Sequence, residues 1–260
     1  MKILFIGDIV GKTGRNVVKA LLPSLTDKYK VDLVIANAEN IAGGFGLTEP
    51  LVAELFRMGV HVITTGNHVW DKKDFVHYIS KDNRVLRPIN YPPGVPGYGS
   101  IVFNAPGGYK VAVLNVSGRV FMNGMDCPFR ATASEIERLS KEANIIFVDF
   151  HAEATSEKIA LGYFLDGKVS AVIGTHTHVQ TADEKILPNG TAYITDAGMT
   201  GPANSVIGME ISQIIQRFLT SMPAKFETAP GEAILSGVVV EINTETGRAT
   251  GIQRVQVRHF

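Results

Sequence analysis

A single cysteine, Cys127, stands in a chain of 260 residues. One thiol cannot close an internal disulfide or build a thiolate-rich zinc or iron–sulfur site, and it points to a reducing compartment, the cytoplasm. An excess of charge of either sign is also missing, since 25 basic residues balance 25 acidic ones. The chain therefore offers no basic field for duplex nucleic acid, and long nucleic acid is disfavoured as a partner. A small anion held at a metal is untouched by that argument. Long apolar runs are lacking as well. None approaches the length of a membrane span, about 20 residues, and the first, ILFIG, ends at Asp8, too soon for a secretory signal. With 45% hydrophobic residues the chain can bury a large core, so one domain over residues 1–260 is expected, with self-association left open.

What is present is an alternation of two periodicities. ILFIG, LVIA and VHVITT are short β-branched apolar runs bounded by Gly or polar residues, which suits strands covered on both faces. Between them, Arg15 to Leu25 carries Val17, Val18, Leu21, Leu22 and Leu25 at helical spacing. Thr48-Glu49-Pro50 starts a second helix that Gly59 stops. These make a βαβαβ unit. SIVFNA and YKVAVLNVSG flank a Pro-Gly-Gly turn and read as a hairpin. Helices are expected over Thr132 to Ala143, near Ser156 to Phe164 and over Ile207 to Leu219. The Asn189-Gly190 turn and the run ILSGVVVEINTETGRATGIQRVQV return the chain to β. Leu86 to Gly99, with four prolines and three glycines, reads as a long ordered loop.

Ionisable and amide side chains collect just past the apolar runs. Asp8 follows KILFIG, Glu39-Asn40 follow VDLVIANA, Asn67-His68 follow VHVITTG, His151 follows NIIFVDF, and His176 and His178 follow VSAVIG. Ligands of open α/β sheets bind at the carboxyl ends of strands, so five clusters far apart in sequence can converge on one crevice. Each has a plainer reading when taken alone. Asp8 suits a helix cap, Glu39-Asn40 a glycine-rich solvated loop and Asn67-His68 a turn. His151 is either a satisfied core group or a ligand. In an extended Thr175-His176-Thr177-His178 the two imidazoles would share one face. Taken together, the Asp, Glu, Asn and His set looks like a metal site. His61 inside a strand, His77 inside a helix and His259 in the tail are read as non-functional. GDIVGKTG falls one residue short of a phosphate loop between Gly7 and Gly11. Met122 to Arg130 reads as a surface loop packed by Phe129, with substrate contact by Arg130 as the alternative.

Gly7-Asp8, Gly66-Asn67-His68, His151 and Gly174-Thr175-His176-Thr177-His178 resemble, in order, the calcineurin-like metallophosphoesterases. Two departures, Val10 where a histidine is usual and Glu39 where an aspartate is usual, resemble the bacterial YmdB subfamily. GDIVGKTGR, ANAENIAGGFGLT, TGNHVWD, DCPFRA, GTHTHVQTAD and TDAGMTGP extend that likeness over the whole chain. The resemblance implies an α/β fold, a four-layer αββα sandwich, and hydrolysis of small phosphodiesters with 2′,3′-cyclic nucleotides as substrates. It further implies two divalent or mixed-valence transition-metal ions, one held by Asp8, Glu39, Asn40 and His178, the other by Glu39, Asn67, His151 and His176. Glu39 would bridge them and His68 would act as general acid, with a shared, acidified water as nucleophile. Imidazole with carboxylate and amide oxygen suits iron, manganese or zinc, and the resemblance orders them iron, then manganese, with zinc third. Two other classes stay open at this point. One is a regulatory protein that keeps the metal site but acts through a partner, and the other is a phosphatase or nuclease built on the same site.

Overall fold

The computed structural model describes all 260 residues. Its first sheet opens with the parallel strands β1 (Lys2–Ile6), β2 (Leu33–Asn37) and β3 (Val62–Thr64), joined through α1 (Gly11–Tyr29) and α2 (Glu49–Arg57). This is the βαβαβ unit expected from periodicity. After the short α3 (Phe75–Tyr78), the chain starts a second sheet with the antiparallel hairpin β4 (Ser100–Asn104) and β5 (Lys110–Ser117). Parallel addition follows, through α4 (Pro128–Leu139), β6 (Ile145–His151), α5 (Thr155–Leu165) and β7 (Ala171–Thr175). The hairpin of β8 (Lys185–Ile186) and β9 (Ala192–Ile194) closes that sheet, in the order β4-β5-β6-β7-β9-β8. The chain then returns to the first sheet by β10 (Gly201–Pro202), α6 (Ile211–Thr220) and the antiparallel pair β11 (Ala233–Ile242) and β12 (Ala249–His259).

Side-chain alternation sorts each strand between two layers, as the two-residue period of a strand requires. Ile3 and Phe5 of β1 enter the layer between the sheets, while Leu4 and Ile6 face the helices. Ile145 and Phe147 of β6 likewise point inward, and Ile146, Val148 and Phe150 outward. Phe5 and Phe147 stack across the sheets with ring centroids 5.5 Å apart. The helices α1 and α2 cover the outer face of the first sheet with Val17, Val18, Leu22, Val52 and Leu55, and α4 and α5 cover the second with Ile136, Leu139, Leu161 and Leu165. The result is the four-layer αββα sandwich.

Several boundaries differ from the sequence reading, each for a local reason. α4 starts at Pro128 rather than Thr132 and stops at Leu139, because Pro128 takes the first helical position and Thr132 Oγ1 donates back to its carbonyl at 2.6 Å. The segment Met122 to Arg130 is therefore only partly loop. α6 starts at Ile211, not Ile207, since Ile207 has φ 47° and Val206 pairs with Met209 in a tight turn. His61 precedes β3 and its Nδ1 accepts from the Val34 amide at 3.0 Å, while His259 closes β12 instead of lying in a tail. The proline-rich stretch from Leu86 to Gly99 has no helix or strand. It is wrapped around Arg87, whose guanidinium donates to the carbonyls of Pro88, Val95 and Pro96. No helix is long and apolar enough to cross a membrane.

All the parallel strands run the same way within their sheet, so β1, β2 and β3 end together, as do β6 and β7. Removing a side chain from the layer that joins the sheets should weaken everything those strand ends carry. Phe147, fully buried and stacked on Phe5, is expected on replacement by Ala to lose about 3–5 kcal/mol of stability, read as a lower urea midpoint. A midpoint unchanged from wild type would mean that this layer does not hold the sheets together.

Candidate metal centre

Asp8 lies two residues beyond β1, Glu39 and Asn40 beyond β2, and Asn67 and His68 beyond β3; His151 is the last residue of β6, and His176 and His178 follow β7. Asp8, Glu39, Asn40 and His151 are buried at 0–3% exposure. A buried charge or amide must find a partner, yet Asp8 Oδ1 and Asn40 Oδ1 accept no hydrogen bond. Ligand atoms of Glu39, His151 and His176 lie within 4.8 Å of one another, and so do those of Asp8, Glu39 and His178. Of the other two predicted ligands, Asn67 places its Oδ1 3.1 Å from His151 Nε2, and Asn40 lines one cleft with Glu39, His176 and His178.

Hydrogen bonds at the far side of each imidazole fix which nitrogen faces this centre. His151 Nδ1 lies 2.9 Å from Thr175 Oγ1, and that hydroxyl donates to Asp149 Oδ1 at 2.7 Å, so His151 Nδ1 is the donor and Nε2 carries the inward lone pair. His178 Nδ1 donates to the Ile207 carbonyl at 2.9 Å, which leaves its Nε2 4.0 Å from Asp8 Oδ1. His176 is turned the other way. Its Nε2 meets Glu153 Oε2 at 3.1 Å, and its Nδ1 lies 3.0 Å from His151 Nε2. Glu39 Oε1 is 3.1 Å from the same nitrogen. Four acceptors thus crowd around one point, and like lone pairs at that distance repel unless a cation or a proton sits among them.

The electrostatics say the same. Burial pushes the Asp8 carboxyl up, offset only in part by His178 and His151. Burial would also push His151 down, but Glu39, Asp8 and Asp149 outweigh it and raise the imidazole to about 9. Glu39, despite its burial, is held near the bottom of the carboxylate range at about 2 by His151 and the His68 amide. His176 is pushed down to about 3 by burial and the neighbouring His151. A site that recruits one positive charge onto His151 and still leaves two oxygens without partners fits a pair of cations better than it fits protons.

The backbone around these side chains is specialised. The sequence reading of an extended Thr175–His178 is corrected here: β7 ends at Thr175, and His176 and His178 adopt φ of 99° and 64°. Both imidazoles still reach the centre, but through a left-handed turn rather than a shared strand face. Thr177 between them is tied through its amide (3.1 Å) and hydroxyl (2.8 Å) to Asp196 Oδ2, which is buried against Lys158 Nζ at 2.7 Å. Gly66 is required by space, since a Cβ there would lie 2.2 Å from the His151 ring and 2.4 Å from Glu39 Oε2. Val10, at the position where the resemblance makes a histidine usual, is fully buried and pairs by backbone with Asn40.

His68 is beside the centre rather than in it. Its amide donates to Glu39 Oε2 at 3.1 Å, its Nδ1 is 2.8 Å from Asp71 Oδ2, and its ring meets Phe45 edge-on. It lines a cleft of about 340 Å³ with Glu39, Asn40, His176 and His178. Asn67 and His176 border a second, smaller cleft with Phe121, Met122 and Asn123. Arg130 borders neither, while Phe129, in the first turn of α4, packs on Phe164. Asp71, Asp149, Glu153, Lys158 and Asp196 were not singled out in the sequence. Glu153 and Asp196 had a signal, since they too follow strands, β6 and β9.

Comparison with known proteins places this arrangement. Residues 4–255 match the model of the family described as YmdB-like protein. The chain is 49% identical over 257 residues to the 2′,3′-cyclic-nucleotide 2′-phosphodiesterase of Bacillus subtilis (strain 168), covering 99% of this chain and 97% of that one. A crystal structure of a hypothetical protein from Thermus thermophilus superposes with a TM-score of 0.93 at 43% identity, covering 99% of both chains. A Mycoplasma pneumoniae structure described as a novel phosphatase gives a TM-score of 0.93 at 38% identity, covering 99% of this chain and 93% of its own. The chain belongs to the YmdB-like protein family.

Proposed function

We propose that this protein is a dinuclear-metal phosphodiesterase acting on small phosphodiesters, with 2′,3′-cyclic nucleotides as substrates. The observation that carries this reading is the convergence of Asp8, Glu39, His151, His176 and His178, with Asn67 Oδ1 against His151 and with two buried oxygens, Asp8 Oδ1 and Asn40 Oδ1, that accept no hydrogen bond. The activity named for the Bacillus subtilis relative, 49% identical over almost the whole chain, supports the substrate class. Asp8, Glu39, Asn40 and His178 would hold one cation, Glu39, Asn67, His151 and His176 the other, with Glu39 common to both. A bound pair of cations supplies an acidified water and neutralises the phosphoryl oxygens in an in-line displacement. The donor set of imidazole, carboxylate and amide oxygen without thiolate suits iron, manganese or zinc, and the family resemblance favours iron, with manganese next. The same absence of thiolate chemistry agrees with a cytoplasmic setting.

The chain's own residues supply the rest. Glu39 keeps its negative charge because His151 and the His68 amide stabilise it. Asp149 acts through Thr175 to hold His151 in the tautomer that presents Nε2. His68, oriented by Asp71 at Nδ1, has Nε2 left to hand a proton to the departing ribose oxygen.

Glu39→Gln keeps the side-chain shape but removes the charge common to both sites. Elemental analysis of protein purified without chelator should find two metals per chain in wild type, and Glu39→Gln should lose metal and turnover together. Two metals still bound in that variant would refute the bridging role.

His68→Ala is expected to keep both metals and the fold while turnover of a cyclic nucleotide falls by roughly 10²–10⁴-fold. A nitrophenyl diester, whose leaving group needs little protonation, should suffer far less. Equal impairment on the two substrates would assign His68 to phosphate binding, and loss of metal would make it a ligand.

A further inference from the structure

The cleft above the candidate metal centre has two unlike ends. Four of its polar lining residues, Glu39, Asn40, His176 and His178, are candidate ligands. Of the other three, Thr177 is bonded to Asp196, while His68 and Glu153 are held by Asp71 and His176 and keep Nε2 and Oε1 free at the metal end of the cleft. What remains is Phe45, Ile207, Met209, Ile214 and Phe226, a wall without one hydrogen-bonding side chain. In the turn before α6 the backbone is paired as well: the Ile207 carbonyl accepts from His178, and the Met209 amide and carbonyl pair with Val206.

Three separate segments build this wall. Phe45 comes from the loop after β2 and meets the His68 ring edge-on, with centroids 5.1 Å apart. Ile207, Met209 and Ile214 come from the turn before α6 and from α6 itself, and Phe226 from the segment that follows. Met209 closes the wall against the loop, because a Cβ on Gly44 would lie 2.8 Å from its terminal methyl. Two aromatic rings flanked by branched and thioether side chains make a surface that adapts to flat rings of different size.

Resting on the reading of the centre as a cyclic-nucleotide phosphodiesterase, we infer that this wall receives the nucleobase and holds it by its faces, without reading its edge. A phosphate at the metal centre leaves its attached nucleoside the continuous cleft beside it, and the apolar end is where a base would be desolvated. Discrimination among bases needs hydrogen-bonding groups that are left unpaired by the wrong one. Stacking tolerates any base, since every base has a π-face. The enzyme is therefore base-tolerant, taking purine and pyrimidine cyclic nucleotides alike.

The test uses the metal-loaded full chain and the 2′,3′-cyclic phosphates of adenosine, guanosine, cytidine and uridine, with glycerol 1,2-cyclic phosphate as the base-free diester. The four kcat/KM values are expected to lie within roughly tenfold of one another. Phe226→Ala should raise KM for all four by about 5- to 150-fold, the worth of one stacked base, with kcat and metal content kept and the loss confined to substrates that carry a base. Phe226→Leu, which keeps an apolar side chain but no ring, provides the same comparison should the alanine variant fold poorly. A preference for one base of hundredfold or more would overturn the inference by demanding an edge-reading group. An equal KM rise on the base-free diester would overturn it too, by making the wall a support for the metal centre. Turnover of the base-free diester alone, with no cyclic nucleotide accepted, would refute the underlying substrate reading and the subsite with it.

Discussion

Around His151 Nε2, three other acceptors, Asn67 Oδ1, His176 Nδ1 and Glu39 Oε1, stand within 3.0–3.1 Å. Such a crowd is unfavourable by itself. Most buried polar groups in a folded chain are placed so that a donor meets an acceptor, but here acceptors meet acceptors, and Asp8 Oδ1 and Asn40 Oδ1 nearby meet nothing. The fold tolerates this arrangement because positive charge completes it, and the strand ends, glycine positions and strained turns around it make sense only as devices that hold the acceptors in place.

Those devices come from both sheets. The first sheet contributes Asp8, Glu39, Asn40 and Asn67, and the second His151, His176 and His178. The layer of side chains around Phe5 and Phe147 sets the spacing between the two halves of the site. Within the second half, two buried carboxylates do different work. Asp149 reaches His151 through the Thr175 hydroxyl and selects its tautomer. Asp196 is compensated by the buried Lys158 ammonium and fastens Thr177, so that the left-handed residues on either side keep their unusual backbone. A buried pair of this kind adds little net stability over an apolar alternative, and its value here lies in the fixed turn between two histidines.

The sequence carried the site well because the site obeys a positional rule. Polar residues just past apolar runs could be read off KILFIG-Asp8 or VSAVIG-Thr-His, and parallel topology then brought them together without any contact being known. The same logic located both imidazoles of Gly174-Thr175-His176-Thr177-His178, although for a wrong local reason: an extended segment was expected, and the chain instead turns left-handed at each histidine. Backbone conformations of that kind depend on tertiary hydrogen bonds, here from Thr177 to Asp196, which no local pattern announces. Lys158 shows the limit most plainly. Nothing in the run TSEKIALGYFL singles it out, yet it is 1% exposed and committed to a carboxylate 38 residues away. Helix limits failed where one residue decided them, Pro128 starting α4 early and Ile207 delaying α6.

Anomalous diffraction from crystals of protein purified without chelator tests the central claim most directly, because it locates metals without reference to activity. The account predicts two separate peaks, one among Asp8, Glu39, Asn40 and His178 and the other among Glu39, Asn67, His151 and His176. A single peak, or peaks that do not touch Glu39, would contradict it.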